Sequence, residues 1–402
     1  MSKRVKGGIT APKGFLAAGI HSGIKKTKQL DLALIISDTP GPVAGVFTSN
    51  TLPAAPVILD RLHLKKGIGK AFIINSGNAN AFTGSEGFAH AREMGRKVAD
   101  QLQIPLHQVF VGSTGVIGVP LPITAVRNGI PVLIQRLRKT GYREAAKAIM
   151  TTDTRQKEIA VQQRIGGKMV TIGGIAKGSG MIHPDMATML AYLTTDVVID
   201  QHTLQTTLRT VTNQTFNCIS VDGETSTNDT VLCLANGLAG NRPIRGSSSA
   251  RTQFQNLLHE VCHFLAMEIC RDGEGATKII KIEISGASSQ KAAKQFAQTL
   301  ATSPLVKTAI FGADPNWGRI IAALGRAGLP LHPNRIVIAF NGLPIVKDGK
   351  GLGPRVEGQI QKIMRRPSIT ISVSLGMGNG SSTIWTTDLT YDYIKINASY
   401  RS

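Results

Sequence analysis

The chain has 402 residues, 42% of them hydrophobic, enough to bury a sizeable core in one large enzyme body or in two or three domains. No run of about 18 apolar residues reads as a membrane span, and the basic N-terminus has no apolar stretch behind it and is not a secretory signal. A net charge of +21 raises nucleic acid as a partner, but the positive residues are dispersed and aromatic residues make up only 5%, too few for base-stacking platforms; the basic surface reads instead as an attractor of small anionic substrates.

In chain order, Val43–Phe47, Ala71–Ile74 and Val109–Val111 are short β-like runs, each followed by a polar or glycine-rich turn. Gly84–Gln103 reads as a helix with Phe88, Ala91, Val98 and Leu102 on one face, and Leu121–Arg138 as a second. Strand character returns at Met169–Ile172, passes through a glycine-rich turn and resumes over Thr188–Leu193. Gln201–Thr215 is helical, Thr230–Ala235 a strand, and Gly237–Ser249 an exposed loop. Arg251–Cys270 carries Phe254, Leu257, Leu258, Val261, Leu265 and Ile269 at helical spacing and stops at Asp272-Gly273-Glu274-Gly275. Beyond it, Lys278–Ile284, Arg335–Phe340 and Ser368–Ser374 are strand-like, with helices over Ser288–Leu300 and Asn316–Leu324. Asp314 or Asn316 is expected to cap the latter. Interleaved strands and helices give an α/β or α+β class. A boundary is expected near residue 275, dividing a main domain, 1–275, from a C-terminal lobe, 276–402.

Cys218, Cys233, Cys262 and Cys270 form no CxxC pair. Neither a disulfide framework nor a zinc site is expected, no metal is assigned, and a reducing cytoplasm fits.

Lys177-Gly178-Ser179-Gly180-Met181-Ile182-His183-Pro184-Asp185-Met186-Ala187-Thr188-Met189-Leu190 is unlike a routine connection between strands. Locally, Thr188 opening a strand is an ordinary strand former. A threonine hydroxyl is a weak nucleophile unless a base adjoins it, and cleavage of the chain before Thr188 would supply one, the new α-amine. Its ordinary pKa of about 7.7–8.0 suits proton transfer near neutrality. No GxSxG elbow or Ser-His-Asp arrangement competes.

This segment resembles the ornithine acetyltransferase family, the bifunctional glutamate N-acetyltransferases (ArgJ). Gly7–Phe15, Asn75–Ala81, Ser113–Gly118, Thr151–Thr154, Ser226–Thr230, Gly273–Thr277 and Ala313–Arg319 resemble further family blocks, in the family's order along nearly the whole chain. The resemblance implies an αββα sandwich of the N-terminal-nucleophile type with a smaller C-terminal lobe. It implies self-cleavage between Ala187 and Thr188 into an α chain, 1–187, and a β chain, 188–402. Thr188 would then carry acetyl from N-acetylornithine to glutamate by a ping-pong mechanism. Thr114 and Gly115 match the oxyanion-hole pair. Thr151, Lys177, Thr188, Glu274, Asn397 and Ser402 match the substrate-binding positions. No cofactor is implied. Acetyl-CoA is an open second donor, separating bifunctional from monofunctional members. An α2β2 heterotetramer is the implied assembly.

Ser402 stands where the family has threonine, Asp185 where it has asparagine, and Glu224 where it has aspartate. His183 lies in the cleavage loop, but the α-amine already supplies a base. Two rival activities remain: an N-terminal-nucleophile aminopeptidase or amidase, in which water takes the acyl group, and a basic nucleic-acid-binding protein.

Overall fold

The structure is a computed structural model that describes residues 2–183 and 189–399. The first half runs β1 (Lys3–Arg4), β2 (Phe15–Ile20), β3 (Leu32–Phe47), α1 (Ala55–Leu64), β4 (Ile68–Asn78), α2 (Gly84–Leu102), β5 (Val109–Val116), α3 (Ile123–Gln135), α4 (Tyr142–Ala148), β6 (Lys157–Ile165) and β7 (Lys168–Lys177). After the undescribed segment come β8 (Leu190–Thr195), α5 (Gln201–Gln214), β9 (Thr230–Ala235) and α6 (Ser249–Arg271). The remainder is β10 (Ile279–Ala287), α7 (Gln290–Ala301), α8 (Pro304–Phe311), α9 (Trp317–Gly325), β11 (Val337–Phe340), β12 (Leu343–Lys347), β13 (Lys350–Gly351), α10 (Pro354–Met364), β14 (Ser368–Ser374), β15 (Gly380–Thr387) and α11 (Tyr391–Ser399).

Strand β3 belongs to two sheets. Its first half pairs with β2 and β4, and its second half with β9. Between them, Asp38-Thr39-Pro40-Gly41-Pro42 interrupts the ladder and the register with β4 shifts between Ile36 and Gly41. Two prolines withhold amide donors, so a bend is favoured over continued pairing. A Cβ on Gly41 would lie 1.9 Å from the Ala235 carbonyl oxygen, so this crossing requires glycine. One sheet runs β2-β3-β4-β5; the other runs β1-β6-β7-β8-β9-β3.

Alternation along the strands builds the layers. Phe72, Ile74 and Phe110 of the first sheet meet Ile175, Tyr192 and Leu232 of the second in a shared core. The opposite neighbours Ala71, Ile73, Val109 and Val111 pack with residues of α2 and α3, including Met94, Val98, Val126 and Ile130. Ile172, Ala191, Leu193, Val231 and Cys233 turn the other way, onto α5 and α6. The result is an αββα sandwich. All six apolar positions predicted for α6 are buried there, and each contributes about 1.5–3 kcal/mol relative to exposure. A further sheet, β13-β12-β11-β14-β10-β15, begins at Ile279 and shares a separate core with α7, α9 and α10.

Several boundaries differ from expectation. The helix read over Leu121–Arg138 is Ile123–Gln135, because Arg138 bridges Ala17. The loop after β9 is not wholly exposed: Ile244 bridges Ile199 and is 1% exposed. Asn316, not Asp314, caps α9 by accepting the Arg319 amide. No disulfide joins the cysteines among the described residues; three are buried and Cys218 is half-buried. No described helix is long and apolar enough to cross a membrane.

Candidate functional site

Thr114 and Gly115 sit near the end of β5, beside β4 in parallel register with Ser76 and Gly77. Gly115 has φ +133°, and a Cβ there would fall 2.4 Å from the Gly77 carbonyl carbon. Only glycine fits both the conformation and the close approach. Polar side chains hold the turn rigid. Asn75 accepts from Ser113 Oγ at 2.6 Å and donates to the Asn78 carbonyl at 2.8 Å. Asn228 donates to the Ala79 and Ser113 carbonyls at 2.7 and 2.8 Å.

Lys177 ends β7 facing this turn. Its Nζ donates to Thr151 Oγ1 at 2.8 Å and Thr114 Oγ1 at 3.2 Å, and the residue is 3% exposed. Burial lowers the Lys177 pKa, and the Asp153 carboxylate opposes that shift. Burial pushes Asp153 up, but the Lys177 and Lys157 ammonium groups outweigh it and hold the carboxyl at about 2. Asp153 also accepts the Gly178 amide at 2.7 Å and the Thr151 amide at 3.0 Å. Lys157 bridges Asp153 at 2.6 Å and Asp272 at 2.5 Å. This buried Asp-Lys-Asp network ties the Thr151 turn and the end of β7 to the end of α6.

Glu274 follows that end of α6. Its amide donates to the Ser179 carbonyl at 2.9 Å, and its carboxylate accepts Asn397 Nδ2 at 2.9 Å. Asn397 lies on α11, which docks where Thr390 Oγ1 donates to the Gly275 carbonyl at 2.7 Å. The C-terminal segment is thus tied to the site, as substrate contact by Asn397 requires. Tyr393, one turn earlier on α11, donates its hydroxyl to Asp222 at 3.3 Å.

Thr114, Gly115, Thr151, Lys177, Glu274 and Asn397 line one cavity of about 250 Å³, suited to a small ligand. A buried ammonium faces one wall and a carboxylate another, a pairing complementary to an amino acid. Thr188, Ala187, Asp185 and Ser402 lie outside the described residues. On either side of that undescribed segment, Gly180 and Met181 line the cavity, and Met189 is buried just before β8. No group of three or more metal-ligating side chains occurs among the described residues.

The family model for the ArgJ family matches residues 16–402.

The chain belongs to the ArgJ family.

A curated relative from Oceanobacillus iheyensis, "Arginine biosynthesis bifunctional protein ArgJ", is 47% identical over 398 residues, covering 98% of this chain and 97% of the relative. The protein of that name from Lactococcus lactis is 45% identical, with 100% of each chain covered. The crystal structure of arginine biosynthesis bifunctional protein ArgJ from Bacillus halodurans matches with TM-score 0.50 and 43% identity, covering 52% of this chain and 98% of that one.

Within this ArgJ-family chain, Glu224 lines the cavity together with Asp222. Sequence reasoning missed the acidic residues that hold the cavity together: Asp153, Asp222, Asp229 and Asp272. Asp153 and Asp229 stand inside the blocks Thr151–Thr154 and Ser226–Thr230. For Asp153, its place between Thr152 and Thr154 was the available signal, and only burial shows its use.

Proposed function

We propose that this ArgJ-family enzyme, an acyltransferase of arginine biosynthesis, moves acetyl from N2-acetylornithine to glutamate through an ester on Thr188, after cutting its own chain between Ala187 and Thr188. The observation that carries this is the gathering of Thr114, Gly115, Thr151, Lys177, Glu274 and Asn397 around one cavity, from sites spread over residues 114–397. The half-length match to the Bacillus halodurans chain also supports a polypeptide divided near its middle.

In the precursor, Thr188 Oγ attacks the Ala187 carbonyl carbon, the peptide C–N bond breaks, and water hydrolyses the resulting ester. The freed α-amine of Thr188 then takes the hydroxyl proton as Oγ attacks the acetyl carbonyl of the donor. The proton passes to the departing amine of ornithine. Glutamate's amine attacks the acetyl ester, and the hydroxyl is restored. Thr114 and Gly115 stabilise the tetrahedral oxyanion. Lys177 receives an α-carboxylate, and Glu274 with Asn397 receives the substrate's ammonium end, with Ser402 completing the tail's contribution. The sequence of steps balances without a metal or cofactor. Acetyl-CoA serves as a second donor if the enzyme is bifunctional. The two chains remain together because the sandwich draws strands and helices from both, and we infer an α2β2 assembly, two domains meeting near residue 275, and a cytoplasmic location.

Denaturing mass spectrometry tests this directly. Two fragments meeting at Ala187/Thr188 are expected from wild type, and one uncut chain from Thr188→Ala. Incubation with N-acetylornithine should add the mass of one acetyl group to the β fragment, and glutamate should remove it as N-acetylglutamate. Release of free acetate in its place would favour the amidase alternative.

A further inference from the structure

A second cavity adjoins the one described above. It measures about 440 Å³ against about 250 Å³, and Thr151 lines both. Its walls carry four basic side chains, Lys25, Lys28, Lys147 and Arg155, and one carboxylate, Asp153. That carboxylate is already committed: it is bound to the Lys157 ammonium at 2.6 Å and accepts the Gly178 and Thr151 amides. Arg155 lies 3.7 Å from Glu268 and 4.0 Å from Asp272, at the long edge of ion pairing. None of the three lysines forms an ion pair among the described residues.

Lys25 is held in place by buried groups. Asp31, fully enclosed, accepts the backbone amides of Ser22, Gly23, Ile24 and Lys25 and so fixes the turn that carries the lysine. Lys25 Nζ then donates to the Met150 carbonyl at 2.7 Å and to the Leu30 carbonyl at 3.0 Å. An ammonium has three donors, and the third has no acceptor among the described residues. Lys28 follows on the same segment, Lys147 stands in the last turn of α4, and Arg155 follows the Thr151–Thr154 block. Three separate stretches of chain thus bring positive charge to one concavity. Like charges gathered this way repel unless an anion joins them. Four cations around the larger space match a ligand with several negative charges, and phosphate groups are the anions that lysine and arginine hold together.

We propose that this cavity is a second ligand site that takes the phosphate groups of a phosphate-bearing ligand, beside the substrate cavity at Thr151. Two sources supply that chemistry: the nucleotide part of an acetyl-CoA donor, with its acetyl end toward the adjoining cavity, or a free polyphosphate acting on the turn that holds Thr151. The site makes no covalent bond and does not require Thr188 to be the nucleophile.

Titration calorimetry of the wild-type enzyme with pyrophosphate and with coenzyme A tests this. Saturable binding of at least one probe is expected, weakening as salt rises. Lys28→Glu/Lys147→Glu reverses two exposed charges and is expected to weaken that binding roughly tenfold or more. The same double variant is expected to change kcat and KM for transfer from N-acetylornithine to glutamate less than about twofold, since neither lysine touches the smaller cavity. Should it fail to fold, Lys28→Ala and Lys147→Ala are each expected to weaken binding. A raised KM for acetyl-CoA in the charge-reversed enzyme identifies the carrier of an acyl donor as the source; weakened binding without that rise identifies a free phosphate. Failure of both probes to bind at millimolar concentration, or binding unchanged by the substitutions, overturns the proposal. An uncut wild type that still binds a probe removes the Thr188 reading alone; a cut, active wild type that binds neither removes this proposal alone.

Discussion

Lys177 Nζ donates to Thr151 Oγ1 at 2.8 Å from a fully enclosed position between two strand ends. The same ammonium reaches Thr114 at 3.2 Å, so one cation joins Thr151 to the turn proposed as the oxyanion hole. Replacing Lys177 by Met keeps the stem and removes the charge. A hydrogen bond to a charged group contributes about 1.5–3 kcal/mol, so kcat/KM for N-acetylornithine is expected to fall roughly 10- to 150-fold, mostly through KM. Steady-state kinetics checks this, and an unchanged KM would remove Lys177 from carboxylate recognition.

Gly115 tests the oxyanion turn. Its φ is +133°, and a Cβ added there would approach the Gly77 carbonyl carbon to 2.4 Å, so Gly115→Ala must shift the turn. Loss of one oxyanion donor lowers kcat by about 10²–10³. That loss is expected in both self-cleavage and transfer, since the proposed mechanism assigns the same oxyanion donors to each. Normal cleavage with slow transfer would show that the two oxyanions are held differently.

Asp153 makes stability depend on pH. Its folded pKa of about 2 lies below the unfolded value near 3.8, so the carboxylate stabilises the fold above pH about 4, and this is lost as pH falls toward 2. The shift corresponds to about 2 kcal/mol. Asp153→Asn should flatten this part of the acid-unfolding curve. At neutral pH it should also cost about 3–5 kcal/mol, because Lys157 and Lys177 lose a buried counter-charge. Chemical denaturation at several pH values measures both effects.

The tail contact is exposed and correspondingly weak. Asn397→Ala removes the 2.9 Å donor to Glu274 while leaving Tyr393 on Asp222. A hydrogen bond of about 0.5–1.5 kcal/mol predicts a KM increase of roughly 2- to 12-fold, with little change in melting temperature. Gly180→Ala should displace the same carboxylate, because its Cβ would lie 2.4 Å from the Glu274 carboxyl group at the movable end of that side chain.

Sequence alone determined what depends on neighbours along the chain. The helical spacing in α6 and the glycine stop after it are local, because a helix face is set by residues three and four apart. The run Met186-Ala187-Thr188-Met189-Leu190 likewise carries the resemblance on which the proposed cleavage site and nucleophile rest. Elements such as α1, α4 and β6 escaped detection, since tertiary burial supports them more than their own periodicity does. Tertiary structure alone decided that β3 bends from one sheet into the other and that Asp153, Lys157 and Asp272 share one buried network. It also brought Asn397 to Glu274, 123 positions away. Those relationships depend on which surfaces exclude water together, and no local pattern encodes which carboxylate will find which ammonium once both are buried.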